Sequence, residues 1–335
     1  MRGLQASGVS RLIADSHWRQ QRLLILCYHG VSQDDEHLWR PNLYMEPGIL
    51  RQRLEVLQRG KYNVLPLGQA LSQLRAGELP PRSVVITFDD GMCDFYRCAY
   101  PLLKSYGFPV TVYQTTYYSH YQRPVFNLIC SYMLWKCRGM ALDKGAELGL
   151  KPPLDLRMES SREDIVLRLM RGAEADRLSG AERDLLAARL ASALQIDYQE
   201  LLRQRLLHVM SLQEITELAA AGVDFQLHAH RHRAPMDEAS FHKEIQENRQ
   251  SLRSITKLDP VHFCYPSGEY RSQFLPWLES ENVISATTCD PGLVTRRNHP
   301  LLLPRFVDTS ARSALEFEGW LAGVGALLAF GRSTR

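Results

Sequence analysis

The sequence has few of the features that mark nucleic-acid-binding or disulfide-stapled proteins. It contains no run of lysine and arginine interleaved with aromatic residues, and its formal net charge of +3 is small, so we expect no nucleic acid partner. The seven cysteines are an odd number without a Cys-x-x-Cys pair, which argues against a disulfide framework or a zinc ribbon. We interpret them as reduced packing thiols.

Both ends of the chain lack apolar segments long enough for targeting or membrane spanning. Residues 1–21 carry charges throughout and have no long apolar stretch of the kind found in secretion signals, so we expect a cytoplasmic protein. Residues 317–330 are apolar apart from Glu318, but this stretch is too short to cross a bilayer. We expect it to dock on the core as a helix, with peripheral membrane contact as the alternative.

The sequence does contain an alternation of apolar runs with helical patterns, at an ordinary composition of 45% hydrophobic and 23% charged residues. This alternation predicts an α/β fold. It breaks between residues 124 and 210, where the sequence becomes helical and highly charged. We therefore predict one α/β domain formed by residues 22–123 and 211–309, a helical insertion at 124–210, and a C-terminal helical segment at 310–335.

Two adjacent carboxylates, Asp89 and Asp90, follow the strand-like run Ser83–Phe88. Adjacent carboxylates repel each other in a site of low dielectric constant unless a cation or a proton neutralises one of them, so the pair indicates a metal nearby. Parallel α/β sheets carry their chemistry at the exits of their strands, which also favours an active site here. The alternative is that Asp-Asp-Gly only forms the turn after the strand.

Histidines follow two other strand-like runs. His29 ends the first run of the chain, and His228 and His232 follow the run Val223–Leu227. The two histidines are four residues apart, and with one aspartate they would complete a site for zinc or another divalent metal. The other aspartate would then be free to act as a base. The alternatives are a polar loop at 228–232 and a hydrogen-bonded strand-end histidine at position 29.

Three stretches resemble motifs of the polysaccharide deacetylases, the NodB-homology proteins of carbohydrate esterase family 4. Thr87–Gly91 resembles the first motif, His228–His232 resembles the second, His-[Ser/Thr]-x-x-His, and Phe263–Gly268 resembles the third. The similarity extends from Leu23 to Arg305 and is interrupted by the helical stretch. It implies a distorted (β/α)7-type barrel with a helical insertion, and the metal-dependent removal of an acyl group from an N-acylated amino sugar.

The same resemblance assigns roles to individual residues. It implies that Asp90, His228 and His232 bind the metal and that Asp89 is the general base. The metal is expected to be Zn²⁺, with Co²⁺, Ni²⁺ or Mn²⁺ as alternatives. The third motif suggests that the backbone N–H of Ser267 holds the oxyanion and offers Tyr265 as a substrate contact.

The sequence departs from the family pattern at several positions. Ala229 replaces the usual Ser or Thr of the second motif, Ser267 replaces a tyrosine, and Cys264 stands where many members have an arginine. We expect Arg305 to supply the missing guanidinium.

The Leu-x-x-His motif that donates a proton to the leaving amine is not evident near the C-terminus, where His299 lies in a predicted loop. Leu26–His29 fits this motif at the opposite end of the chain. Since a closed barrel has no privileged first strand, we predict His29 as the general acid, with His299 as the alternative.

These expectations combine into a cytoplasmic hydrolase of the carbon–nitrogen bond of an N-acetylated or N-formylated amino sugar, with membrane association as an alternative. The substrate would be a polymer, glycolipid or nucleotide-linked precursor of a surface polysaccharide. Two alternatives are a metal-binding or sugar-binding barrel with impaired catalysis and a hydrolase of a non-sugar amide.

Overall fold

The computed structural model of the protein describes residues 9–142, 148, 150 and 154–330. These residues form two compact units. One unit consists of the described residues up to Tyr117 together with those from Leu212 onward, and the other consists of those between Tyr118 and Ser211. The second unit overlaps the predicted insertion at 124–210.

The first unit is built on a parallel sheet. The strands of the described chain are β1 (Leu24–Tyr28), β2 (Gly30–Val31), β3 (Tyr44–Met45), β4 (Asn63–Val64), β5 (Ser83–Phe88), β6 (Thr111–Gln114), β7 (Ala141–Leu142), β8 (Leu154–Asp155), β9 (Asp224–Leu227), β10 (His262–Cys264), β11 (Ser285–Thr287) and β12 (Phe306–Val307). Eight of them form one sheet in the order β11–β10–β9–β6–β5–β1–β12, with β4 beside the beginning of β5. All of its pairings are parallel, so the strand exits lie at the same edge. The predicted α/β class with a curled, barrel-like sheet is confirmed.

Strands β1 and β5 form the centre of the sheet. Every residue of both strands is buried, as expected of parallel strands that are covered on both faces. Their β-branched and leucine side chains each stabilise the fold by about 1.5–3 kcal/mol on burial. The two strands pair in register from Leu24–Val84 to Tyr28–Phe88, so the residues that follow them leave the sheet side by side.

Both units of the described chain contain α-helices. They are α1 (Val9–Ala14), α2 (His17–Gln20), α3 (Glu36–Trp39), α4 (Pro47–Arg59), α5 (Leu67–Ala76), α6 (Tyr100–Tyr106, entered through a π-helical turn at Phe95–Ala99), α7 (Tyr117–Tyr121), α8 (Phe126–Lys136), α9 (Glu159–Ala175), α10 (Gly180–Ala193), α11 (Tyr198–Arg203), α12 (Leu212–Ala220), α13 (Glu238–Thr256), α14 (Phe274–Ser280), α15 (Ala314–Ala322) and α16 (Val324–Phe330). In α4, Leu50, Leu54 and Leu57 are fully buried, as their helical spacing predicts. The helix α6 ends at Gly107, whose φ of 66° is the left-handed conformation typical of a helix C-cap.

The apolar C-terminal segment packs on the first unit. A capping box of Ser313 and Glu316 starts α15, Phe317 is fully buried, and the ring of Trp320 stacks on Phe306 with a centroid distance of 4.9 Å. The expected docking of residues 317–330 therefore holds for α15, while residues 331–335 lie outside the described part of the chain. No helix among the described residues is long and apolar enough to cross a membrane.

The second unit is mainly helical. Its helices α8 to α11 are accompanied by a short antiparallel pair formed by β7 and β8. The carboxylate of Asp184 in α10 accepts hydrogen bonds from Arg123 Nε at 3.0 Å and from Tyr198 Oη at 2.7 Å. These contacts join α10 to the start of α11 and to the segment before α8.

Candidate active site

The exits of three strands bring the predicted site residues together. Asp89 and Asp90 follow β5, His29 follows β1, and His228 follows β9. The Asp89 N–H donates to the carbonyl oxygen of Tyr28 at 2.9 Å, which extends the β1–β5 pairing to the first carboxylate. The parallel sheet therefore delivers the polar side chains to one edge, as the sequence predicted.

Asp90, His228 and His232 converge on one point. The Nε2 atoms of both histidines lie 3.2 Å from Asp90 Oδ1, and the candidate ligand atoms all lie within 4.8 Å of one another. His228 Nδ1 lies 2.9 Å from the carbonyl oxygen of Cys264, and a hydrogen bond donated from Nδ1 leaves Nε2 with its lone pair for a metal. The His232 side chain is 39% exposed, which leaves an open side to the cluster. The donor set and its hydrogen bonding fit a catalytic divalent metal.

Left-handed backbone conformations orient these candidate ligands. Asp90, Ala229 and His232 have φ values of 67°, 59° and 55°. Each such conformation costs a non-glycine residue about 1–2 kcal/mol, so the surrounding contacts must hold the site in place. Gly91 also has a positive φ, and a Cβ there would lie 2.0 Å from Gln114 Oε1. The Asp-Asp-Gly sequence is therefore both a turn and the segment that carries the candidate ligand Asp90.

Arg305 holds the carboxylate of Asp89. Its Nη1 and Nη2 atoms donate to Asp89 Oδ1 and Oδ2 at 2.7 Å each, and its Nε donates to the carbonyl oxygen of Thr288 at 2.9 Å. Both side chains are buried. Burial alone would raise the pKa of Asp89, but the guanidinium overcomes this effect and holds that pKa well below its usual range. The bidentate contact thus supplies the arginine that the third motif lacks.

Two thiols complete the surroundings of Asp89. The Sγ atoms of Cys27 and Cys264 lie 3.5 and 3.4 Å from Asp89 Oδ2. Burial raises the pKa of both cysteines well above 9.0, so they remain protonated and donate S–H to the carboxylate. Cys264 also lies 3.1 Å from Arg305 Nη2. Sequence reasoning treated these residues as ordinary packing thiols and missed their contact with the predicted base.

His29 lies beside the predicted base. Its Nε2 is 3.8 Å from Asp89 Oδ2, and its side chain is 19% exposed. The alternative general acid, His299, lies in an exposed loop, where its Nδ1 accepts a hydrogen bond from the Leu301 N–H at 3.2 Å. Of the two candidates, His29 is the one that lies close to the Asp89 carboxylate.

Tyr265 and Ser267, the two predicted site residues of the third motif, differ in their exposure to solvent. Tyr265 is fully buried and its hydroxyl donates to the carbonyl oxygen of Leu301 at 3.1 Å, so the side chain is not available as the predicted substrate contact. Side chains alternate along an extended chain, and since Cys264 faces Asp89, Tyr265 faces the opposite side. Ser267 is exposed, with a φ of 58°, in a 3₁₀ turn at Pro266–Gly268. Its backbone remains the predicted oxyanion donor.

Part of the chain matches a family model and several curated proteins. The model is described as polysaccharide deacetylase and matches residues 76–149 and 198–283. Poly-beta-1,6-N-acetyl-D-glucosamine N-deacetylase of Escherichia coli (strain K12) is 28% identical over 99 residues, which are 29% of this chain and 14% of that protein. The putative polysaccharide deacetylase YxkH of Bacillus subtilis (strain 168) is 32% identical over 93 residues, which are 28% of this chain and 31% of that protein. The chain thus matches less than a third of the length of either relative.

Solved structures resemble the fold over most of the chain. The Streptococcus pyogenes deacetylase PplD in complex with acetate has a TM-score of 0.57 at 20% identity, covering 87% of this chain and 94% of that chain. IcaB from Ammonifex degensii has a TM-score of 0.56 at 16% identity, covering 91% of this chain and 97% of that chain. At these low sequence identities, the structural likeness shows only that the folds are similar. The match to the family model is a separate finding, because it comes from the sequence.

Proposed function

We propose that this chain, which belongs to the polysaccharide deacetylase family, hydrolyses the N-acyl amide of an amino sugar with the help of a divalent metal. The observation that carries this proposal is the pairing of a buried, Arg305-held Asp89 carboxylate with an adjacent cluster of Asp90, His228 and His232. An ionised base next to an open metal site is what hydrolysis of an unactivated amide requires.

Each residue has a separate task in this proposal. Asp90, His228 and His232 would hold the metal, which we propose to be Zn²⁺ and which, when bound, supplies Lewis acidity for the acyl carbonyl and for water. Asp89 accepts the proton of the attacking water. His29 gives a proton to the amine nitrogen as its bond to the acyl carbon breaks. The backbone N–H of Ser267 donates to the carbonyl oxygen as negative charge develops there.

The intact cluster of Asp90, His228 and His232 argues against the alternative of a barrel with impaired catalysis. The carboxylates and imidazoles that the chemistry needs are present and are held by other side chains, as the contact of Arg305 with Asp89 illustrates.

For the substrate we propose an N-acetylated or N-formylated amino sugar in a surface-polysaccharide or glycolipid precursor. The Escherichia coli relative is a poly-beta-1,6-N-acetyl-D-glucosamine N-deacetylase, which supports an amino-sugar substrate. We further propose a cytoplasmic location, which cell fractionation tests; recovery in the periplasm would contradict it.

Release of acetate and formate from N-acetylated and N-formylated glucosamine oligomers tests the proposal. Asp89→Asn should lower the rate by about 10²–10⁴-fold while the protein still binds Zn²⁺, because the amide cannot accept the proton. Asp308→Asn is the matched control, because Asp308 is also a buried carboxylate paired with an arginine, Arg53, at 3.0 Å. It should leave the rate within a few-fold of wild type. Equal rates for Asp89→Asn and wild type would overturn the proposal.

A further inference from the structure

A buried amide lies next to the histidine segment. Asn248 belongs to α13 and is fully buried. Its Oδ1 accepts a hydrogen bond from the His228 N–H at 2.9 Å. Its Nδ2 donates to the carbonyl oxygen of Gln114 at 2.9 Å and to Thr116 Oγ1 at 3.0 Å. The amide therefore uses its acceptor and both donor hydrogens, which is full satisfaction for a buried asparagine.

These bonds connect the segments that carry the metal ligands. The turn after β6 that Asn248 contacts also binds the carboxylate segment, since the N–H and hydroxyl of Thr115 donate to the carbonyl oxygen of Asp90 at 3.3 and 3.0 Å. The same turn binds the histidine segment, since Thr116 Oγ1 lies 2.8 Å from His230 Nδ1. Asn248 thus joins the exits of β6 and β9 directly, and Thr115 extends this connection to the exit of β5.

A second residue of α13 adds to this contact. Glu244 lies one helical turn before Asn248 and therefore on the same helix face. Its carbonyl oxygen accepts the His230 N–H at 3.1 Å, and its Oε2 accepts the Arg231 N–H at 2.7 Å. Three N–H groups within this four-residue segment, those of His228, His230 and Arg231, are accordingly held by the helix.

We propose that Asn248 is a positioning residue that sets the geometry of the metal-binding segment. The proposal rests on the proposed function, because it takes Asp90, His228 and His232 as metal ligands. Ala229 has no hydroxyl with which the segment could brace itself, and the left-handed conformations of Ala229 and His232 need support from outside the segment. Asn248 supplies that support at the residue where β9 ends.

The chemistry of the position calls for an amide. An aspartate would keep the acceptor for the His228 N–H but would lose both donors and place a negative charge against the Gln114 carbonyl oxygen. A leucine of similar volume would remove the hydrogen bonds that Asn248 makes with the His228 N–H, the Gln114 carbonyl and the Thr116 hydroxyl. Either change should loosen the ligand segment more than the rest of the sheet.

The experiment measures metal binding in the full-length protein. We expect Asn248→Leu to raise the dissociation constant for Zn²⁺, determined by competition with a chromophoric chelator, by about 10–100-fold. It should also change the visible absorption spectrum of the Co²⁺-loaded protein. Gln226→Leu is the matched control, since the Gln226 amide is also buried and accepts hydrogen bonds from the Val261 and His262 N–H groups at 2.9 and 2.8 Å. This control should lower Tm comparably and change the Zn²⁺ dissociation constant less than about three-fold.

Two milder substitutions test the inference if Asn248→Leu does not fold. Thr116→Val removes the hydroxyl that Asn248 contacts, and Thr111→Val removes a buried hydroxyl at the start of the same strand, bonded to Asp224 at 2.9 Å. We expect weaker Zn²⁺ binding only for Thr116→Val. An unchanged dissociation constant and Co²⁺ spectrum in folded Asn248→Leu, or equal binding by the two threonine variants, would overturn the inference. Wild-type protein that binds Zn²⁺ but releases no acyl group would instead overturn the proposed function and leave this inference standing.

Discussion

Replacing Arg305 with methionine tests how the predicted base is held. In the native protein, Arg305 and Asp89 are 0% and 2% exposed and share two hydrogen bonds of 2.7 Å. Arg305→Met leaves the carboxylate buried without its cationic partner, which typically costs about 3–5 kcal/mol. For a protein of this size we expect Tm to fall by on the order of 10 °C. The thiols of Cys27 and Cys264 are weak donors and cannot replace a guanidinium.

The pH dependence of the stability difference provides a second test of the same prediction. Because the pKa of Asp89 is lowered in the folded protein, the carboxylate contributes stability above its ordinary pKa of 3.8, and this contribution is lost as the pH falls toward the folded pKa. In Arg305→Met, burial without the guanidinium raises the pKa of Asp89 above its ordinary value, so the variant takes up a proton at a higher pH than wild type does. The stability difference between wild type and Arg305→Met should therefore be large at pH 7 and should shrink as the pH falls below that raised pKa. Thermal melts followed by circular dichroism measure this difference.

Two further variants make the result specific. Adding Asp89→Asn to Arg305→Met should recover part of the lost stability, because the unpaired charge is removed. Arg53→Met is the control, since Arg53 and Asp308 form another buried ion pair at 3.0 Å. It should destabilise the fold while acyl release by the folded protein persists. Wild-type stability of Arg305→Met at pH 7, or no recovery in the double variant, would refute the reasoning.

Two other predictions concern the proton donor and the third motif. His29→Gln should lower acyl release by about 10²–10⁴-fold without changing Zn²⁺ content, and His299→Gln should leave it unchanged; equal effects would contradict the assignment. Gly268→Ala should cost about 1–3 kcal/mol more than Gly107→Ala in chemical denaturation, because both positions have positive φ but only the Cβ at 268 meets another atom, Cys289 Cβ at 2.7 Å. Equal losses would show that the turn can move away from Cys289.

The fold class and the meeting of the motifs could be predicted from local patterns. The apolar runs before Asp89, His29 and His228 indicate buried strands, and parallel strands necessarily present their exits at one edge. The helical spacing of leucines in α4 and the glycine after α6 are likewise local signals. These features depend on residues close together in the sequence.

The contacts that support the site leave no such local pattern, and the expectation for Arg305 came only from the arginine that the third motif lacks. Arg305 reaches Asp89 because the two-residue strand β12 pairs with β1, and such a short strand leaves no periodic signal. The contact of Asn248 with His228 joins a strand exit to the middle of a polar-looking helix. The error over Tyr265 arose because a motif fixes residue types, whereas the alternation after Cys264 decides which side chain faces the site.

The location of a bound metal tests the central claim most directly. Crystals of the wild-type protein grown with Zn²⁺ can be measured at the zinc absorption edge, where the anomalous signal locates the ion. We predict one strong peak at about 2.0–2.2 Å from Asp90 Oδ1, His228 Nε2 and His232 Nε2, with an open side toward solvent. A peak elsewhere, or no peak in crystals of protein that releases acyl groups in the presence of Zn²⁺, would contradict the account.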